Sequence, residues 1–63
     1  MKIILSDVEP GDLDIAIRAA KWLIEQPESQ KDAILVYGEE QWVFYVRRNK
    51  ASITARRIGK SRG

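Results

Sequence analysis

The chain has no cysteine and no histidine. The first absence excludes a disulfide framework and thiolate chemistry. The two together exclude the usual zinc sites and the common nucleophile–base pairs. Glycine is sparse, and Gly11, Gly38, Gly59 and Gly63 stand apart, so there is no phosphate-cradling loop. Ile3-Ile4-Leu5 is too short for the apolar core of a secretion signal, and no apolar run approaches a membrane span. These absences predict a cytoplasmic, non-enzymatic protein with no cofactor, no metal and no membrane contact. One region also lacks acid. Residues 47–63 hold Arg47, Arg48, Lys50, Arg56, Arg57, Lys60 and Arg62 without a single carboxylate, a charge of +7. Residues 1–46 set four cations against nine acids, a charge of −5. Such a basic end is the footprint of a polyanionic partner.

With 63 residues, 44% of them hydrophobic, the chain makes one small domain. The spacing assigns residues 1–58 to a single compact unit and residues 59–63 to a basic tail. Leu13 to Gln26 reads as the one helix. At about 100° per residue, Asp14, Arg18, Lys21 and Glu25 share a stripe about 60° wide. The remaining arc is apolar. Ala16, Ala19, Ala20 and Leu23 lie near its centre. Ile15 with Trp22 forms one shoulder, and Leu13, Ile17 and Ile24 form the other. A small-residue centre suits close packing on a sheet. Asp12 is the expected N-cap, Asp14–Arg18 and Lys21–Glu25 are expected i,i+4 pairs, and Pro27 ends the helix.

Four β-type runs surround this helix. Lys2 to Leu5 comes first, followed by a turn-rich stretch to Gly11. Ala33 to Tyr37 and Trp42 to Arg47 flank a turn at Gly38–Gln41. Asn49-Lys50 is expected to make a two-residue turn into a last strand ending at Ile58, because asparagine tolerates positive φ. These turns pair Leu35 with Phe44, Ala33 with Val46, Val46 with Ile53 and Phe44 with Ala55. One face then carries Ala33, Leu35, Tyr37, Trp42, Phe44, Val46, Ile53 and Ala55, all apolar, and takes the helix. The fold class is α+β, with βαβββ order, one helix on one face of a small, mostly antiparallel sheet. The first strand lies parallel to either the second or the fourth.

The opposite face mixes Ile34, Val36 and Val43 with Tyr45, Arg47 and Arg56. Two functional readings follow. Tyr45, Arg47, Arg48, Arg56, Arg57, Lys60 and Arg62 form a candidate nucleic-acid surface, with arginine forks for phosphates and a tyrosine to stack on a base. Alternatively, Ile15, Trp22, Ile34, Val36, Val43 and Tyr45 form a protein-binding or homodimer surface, as in an inhibitor or adaptor of phage or mobile-element type. Asp7, Glu9, Asp12 and Asp14 gather around one turn, which is read as turn and cap chemistry rather than a hard-cation site.

The stretch Val43-Phe44-Tyr45-Val46-Arg47-Arg48-Asn49-Lys50-Ala51-Ser52-Ile53-Thr54-Ala55-Arg56-Arg57-Ile58-Gly59-Lys60 resembles the closing hairpin of the RelE/ParE toxin superfamily. The resemblance implies a sheet-based α+β fold and a binding surface on RNA or protein. Ribosome-dependent RNases of that family carry an arginine before the Tyr-Val strand, where this chain has Gln41 and Trp42. They carry another directly after Gly-Lys, where this chain has Ser61 and then Arg62. A tyrosine that follows in the family has no counterpart. Those toxins also have two helices before the sheet, where this chain has room for one, so the resemblance implies a binding role or, as a third reading, a trimmed toxin of that family.

Overall fold

The computed structural model describes residues 1–60. Its helix, α1, spans Leu13–Ile24, and it buries Ala16, Ala19, Ala20 and Leu23, the centre of the apolar arc. A single 3-10 turn at Pro10–Asp12 leads into it. Asp12 occupies the N-cap position but makes no side-chain cap bond, because its carboxylate is engaged elsewhere. The helix ends short of Gln26, and Pro27 follows, as expected where a proline clashes with helical backbone. Among the described residues three ion pairs form, and neither Asp14–Arg18 nor Lys21–Glu25 is one of them.

Four strands follow the pattern read from the sequence: β1 (Lys2–Ser6), β2 (Asp32–Tyr37), β3 (Trp42–Arg48) and β4 (Ser52–Lys60). Their order is β1-β4-β3-β2, so the parallel partner of β1 is β4. The other neighbours are antiparallel. The result is an α+β domain with one helix on one face of a four-stranded mixed sheet. The β2–β3 register is the expected one, with Ala33 opposite Val46, Leu35 opposite Phe44 and Tyr37 opposite Trp42. A four-residue turn joins these strands, with positive φ at Gly38 and Gln41.

The β3–β4 register differs from expectation by two residues. Val46 faces Ala55 rather than Ile53, and Phe44 faces Arg57 rather than Ala55. The cause lies at Asn49, which joins the ladder instead of turning. Its N–H donates to the Ser52 carbonyl at 2.8 Å. Its side-chain amide donates to Ser52 Oγ at 3.2 Å and Thr54 Oγ1 at 3.0 Å. The connection therefore centres on Lys50 and Ala51, and Asn49 does not take positive φ. A two-residue shift keeps every side chain on its face, so the core is still Phe44, Val46, Ile53 and Ala55 against the alanine face of α1. Ile3, Leu5, Ala33, Leu35 and Tyr37 pack around it.

Further along the hairpin, a bulge separates the pairs Val43–Gly59 and Phe44–Arg57 and leaves Ile58 as the extra residue. Strand β4 runs through it to Lys60, so Gly59 and Lys60 belong to the sheet rather than to a tail. The bulge also corrects the expected exposure of Val43, which is 7% exposed. Val43 stands between Val36 on one side and both Ile58 and Gly59 on the other.

Gly59 makes the bulge with φ at +138°, a region that side-chain-bearing residues rarely enter. No atom lies within 4 Å of an added Cβ there, so only backbone strain opposes substitution. Gly59→Ala is expected to lower stability by about 1–3 kcal/mol in urea unfolding. Gly11→Ala, also in open space and without positive φ, is expected to change it by less than about 0.5 kcal/mol.

Candidate functional site

Helix α1 antiparallel to β2 leaves a groove between the two. It has a volume of about 500 Å³ and is lined by Ile15, Arg18, Ala19 and Trp22 from the helix and by Ala33, Ile34, Leu35, Tyr37 and Val46 from the sheet. Its origin is a mismatch of widths. A helix is about 10 Å across, whereas four strands about 4.8 Å apart are nearly twice as wide. Centred on β3 and β4, α1 cannot also cover β2. Trp22 on the helix is 48% exposed, and Ile34 on the edge strand is 64% exposed. Arg18 is the one charged residue of the lining, and among the described residues it has no ion pair.

The opposite face of the sheet carries no helix. There Tyr45, Arg47, Asn49, Thr54 and Arg56 line a shallower depression of about 290 Å³. The register sets Tyr45 opposite Arg56 and Arg47 opposite Thr54. The Tyr45 hydroxyl donates to Asp32 Oδ2 at 3.0 Å, and that carboxylate holds its pKa above the usual phenol range. Ile4, Ile34, Val36 and Ile58 complete the exposed apolar part of this face.

The seven residues read from the sequence as one nucleic-acid surface are thus divided. Tyr45, Arg47 and Arg56 come together on the open face. Arg48 points the other way, to the C-terminal end of α1. Its Nη2 donates to the carbonyls of Leu23 at 2.7 Å and Gln26 at 3.2 Å, and its Nε donates to Gln30 at 3.1 Å. A cation there meets both the orphan carbonyls and the negative end of the helix dipole. Arg57 lies on the helix side, 4.0 Å above the Trp42 ring, with Nη1 at 3.2 Å from Asp12 Oδ2 and Nη2 at 3.6 Å from Glu9 Oε2. Lys60 stands 5.1 Å from the Trp42 ring centre and bonds Glu40 at 2.8 Å, which lowers the Glu40 pKa. Arg62 lies outside the described residues.

The acidic stretch before α1 therefore holds Arg57 through Glu9 and Asp12. Among the described residues no group of three or more histidine, cysteine or acidic side chains is gathered to hold a metal. Tyr37 sits beside this cluster, stacked on Phe44 with ring centres 5.3 Å apart. Its hydroxyl is buried and, among the described residues, has no hydrogen-bond partner at normal geometry. Burial, and after it the nearby Asp12 carboxylate, push it up to about 12.

Of the expected partner-interface residues, Ile15 and Trp22 line the groove from the helix, Ile34 borders it from the sheet edge with its side chain on the open face beside Val36, and Val43 is buried. Arg18, Ala33, Leu35 and Tyr37 were not read as part of any site. Only the position of β2 at the sheet edge turns them toward a groove, and strand order leaves no mark in local patterning. No helix of the described residues is long and apolar enough to cross a membrane. No family model, curated protein or solved structure matches the chain.

Two consequences are testable. Arg48→Ala removes the cation from the helix terminus and is expected to cost about 2 kcal/mol in urea unfolding, the scale of charged hydrogen bonds to part-buried carbonyls. For Tyr37, a pKa raised on folding stabilises the fold while the proton is held. That contribution is complete below about pH 10, the unfolded value, and is lost as pH rises through about 12. Tyr37→Phe is expected to match the parent at neutral pH and to lose less stability over that alkaline interval, measured by denaturant midpoints.

Proposed function

We propose that the chain is a protein-binding module, an adaptor or inhibitor that receives a partner in the α1–β2 groove. The observation that carries this reading is the groove itself: an apolar, partly open channel with Trp22 on its rim. Tryptophan in such a setting is a favoured interface anchor, and solvated apolar clefts of this size are common ligand seats. The division of the basic residues supports it too. Arg48, Arg57 and Lys60 already have internal work, so the cationic end of the sequence does not present one continuous surface.

A second reading has its own observation. Arg47 and Arg56 lie on an uncovered face beside Tyr45, and neither forms an ion pair among the described residues. That arrangement suits phosphate contact with limited stacking and no base readout.

Photo-crosslinking residues separate the two. Placed at position 22, the probe is expected to trap a protein in extract of the source cell. Placed at position 56, it is expected to trap neither protein nor nucleic acid above background. Nucleic acid trapped at position 56, with affinity falling with salt at a log–log slope of about −2 for two phosphate contacts, favours the second reading. No protein trapped at position 22 overturns the first.

A further inference from the structure

We infer that the occupant of the α1–β2 groove is an extended segment of another protein, which adds to β2 as a fifth strand, sends alternate apolar side chains into the groove and presents a carboxylate to Arg18. The inference rests on the protein-binding reading above and specifies the partner's conformation and chemistry.

The backbone argues for a strand. The Arg48 N–H donates to the Lys31 carbonyl at 2.8 Å, which fixes the alternation of the β2–β3 ladder. Ala33, Leu35 and Tyr37 then exchange bonds with β3, while Asp32, Ile34 and Val36 turn theirs outward. The Asp32 carbonyl accepts from Gln30 Nε2 at 2.6 Å. Ile34 and Val36 keep both groups for the open edge. Sheet edges are usually blunted by lysine, proline or a bulge. Strand β2 reads Asp-Ala-Ile-Leu-Val-Tyr, and beyond Asp32 at its start it carries no charge, proline or bulge. The other edge, β1, opens on Lys2 and is a residue shorter. A helix laid in the groove satisfies its own backbone and leaves Ile34 and Val36 to water. An added strand bonds them and fills the groove with every second side chain.

A second copy fits less well. Pairing β2 with another β2 brings Ala33, Leu35 and Tyr37 to the inner side, and those residues already pack against their own core. Both grooves then remain unfilled. A foreign segment brings side chains with no prior contact. The groove also fixes the sign of its charge, because its single charged residue, Arg18, is a cation with no ion pair among the described residues.

The test is selection of random linear peptides from a display library on the full chain, followed by synthesis of the enriched sequences. Enriched peptides are expected to alternate large apolar residues, carry Asp or Glu, and lack proline. Binding is expected to slow amide exchange at Ile34 and Val36 by about tenfold or more, as for a newly bonded edge. Arg18→Gln is expected to weaken an acidic peptide about two- to five-fold, the size of an exposed ion pair, and to leave its Glu→Gln counterpart unchanged. Peptides with helical spacing that depend on Trp22 but leave Ile34 and Val36 exchange untouched overturn strand addition and leave the protein-binding reading standing. No enrichment, or peptides indifferent to Trp22→Ala, overturns both. Concentration-dependent protection of Ile34 and Val36 without peptide assigns the edge to a second copy and overturns the inference.

Discussion

Ala16, Ala19 and Ala20 set how closely α1 can approach the sheet, and the rest of the architecture depends on that contact. With no bulky side chain between them, the helix settles onto Phe44, Val46, Ile53 and Ala55, and its centre is fixed over β3 and β4. Once it is there, geometry decides which residues stay open. A helix spans about two strands of the four, so β2 keeps an uncovered flank, and the Ile15–Trp22 shoulder overhangs it. The groove is a consequence of close packing in the centre, not of poor packing at the side.

The same placement determines where cations are used. Arg48 ends β3 directly beneath the last turn of α1, where four carbonyls lack partners in any helix. Arg57 emerges on the helix side next to Glu9 and Asp12, so the acids of the 3-10 turn and a base of β4 tie the helix entry to the sheet. Part of the charge asymmetry between the two ends of the sequence is therefore internal pairing. The open-face residues Arg47 and Arg56 are what remains for solvent or a ligand.

Much of this was legible beforehand. The helix, its buried alanine centre, the Gly38–Gln41 turn and the Tyr37–Trp42 register all follow from periodicity and turn chemistry. What escaped has physical reasons. A register slip of two residues leaves the inside–outside pattern intact, so the pattern holds no information about it. The bulge at Ile58 places Lys60 on the helix side, opposite Trp42, yet it depends on a glycine that reads locally as the end of a strand. The roles of Arg48 and Arg18 depend on what lies across from them in space. Residues whose positions come from their own neighbours in sequence were readable, and those set by strand order were not.

The parallel pairing of β1 with β4 carries a consequence for how the chain acquires its structure. Lys2 meets Ser52 and Leu5 meets Ala55, contacts that span most of the polypeptide. Strand β4 is also the floor on which α1 rests and the partner of β3. During synthesis, β1, α1 and the β2–β3 hairpin all leave the ribosome before it. Until residues 52–60 follow, β1 has no neighbour and the alanine face of α1 has only half its seat. Loop closure of this length is slow, and apolar surface left waiting is surface that other chains can find. Strand β4 is thus the element that joins β1, α1 and β3 into one fold.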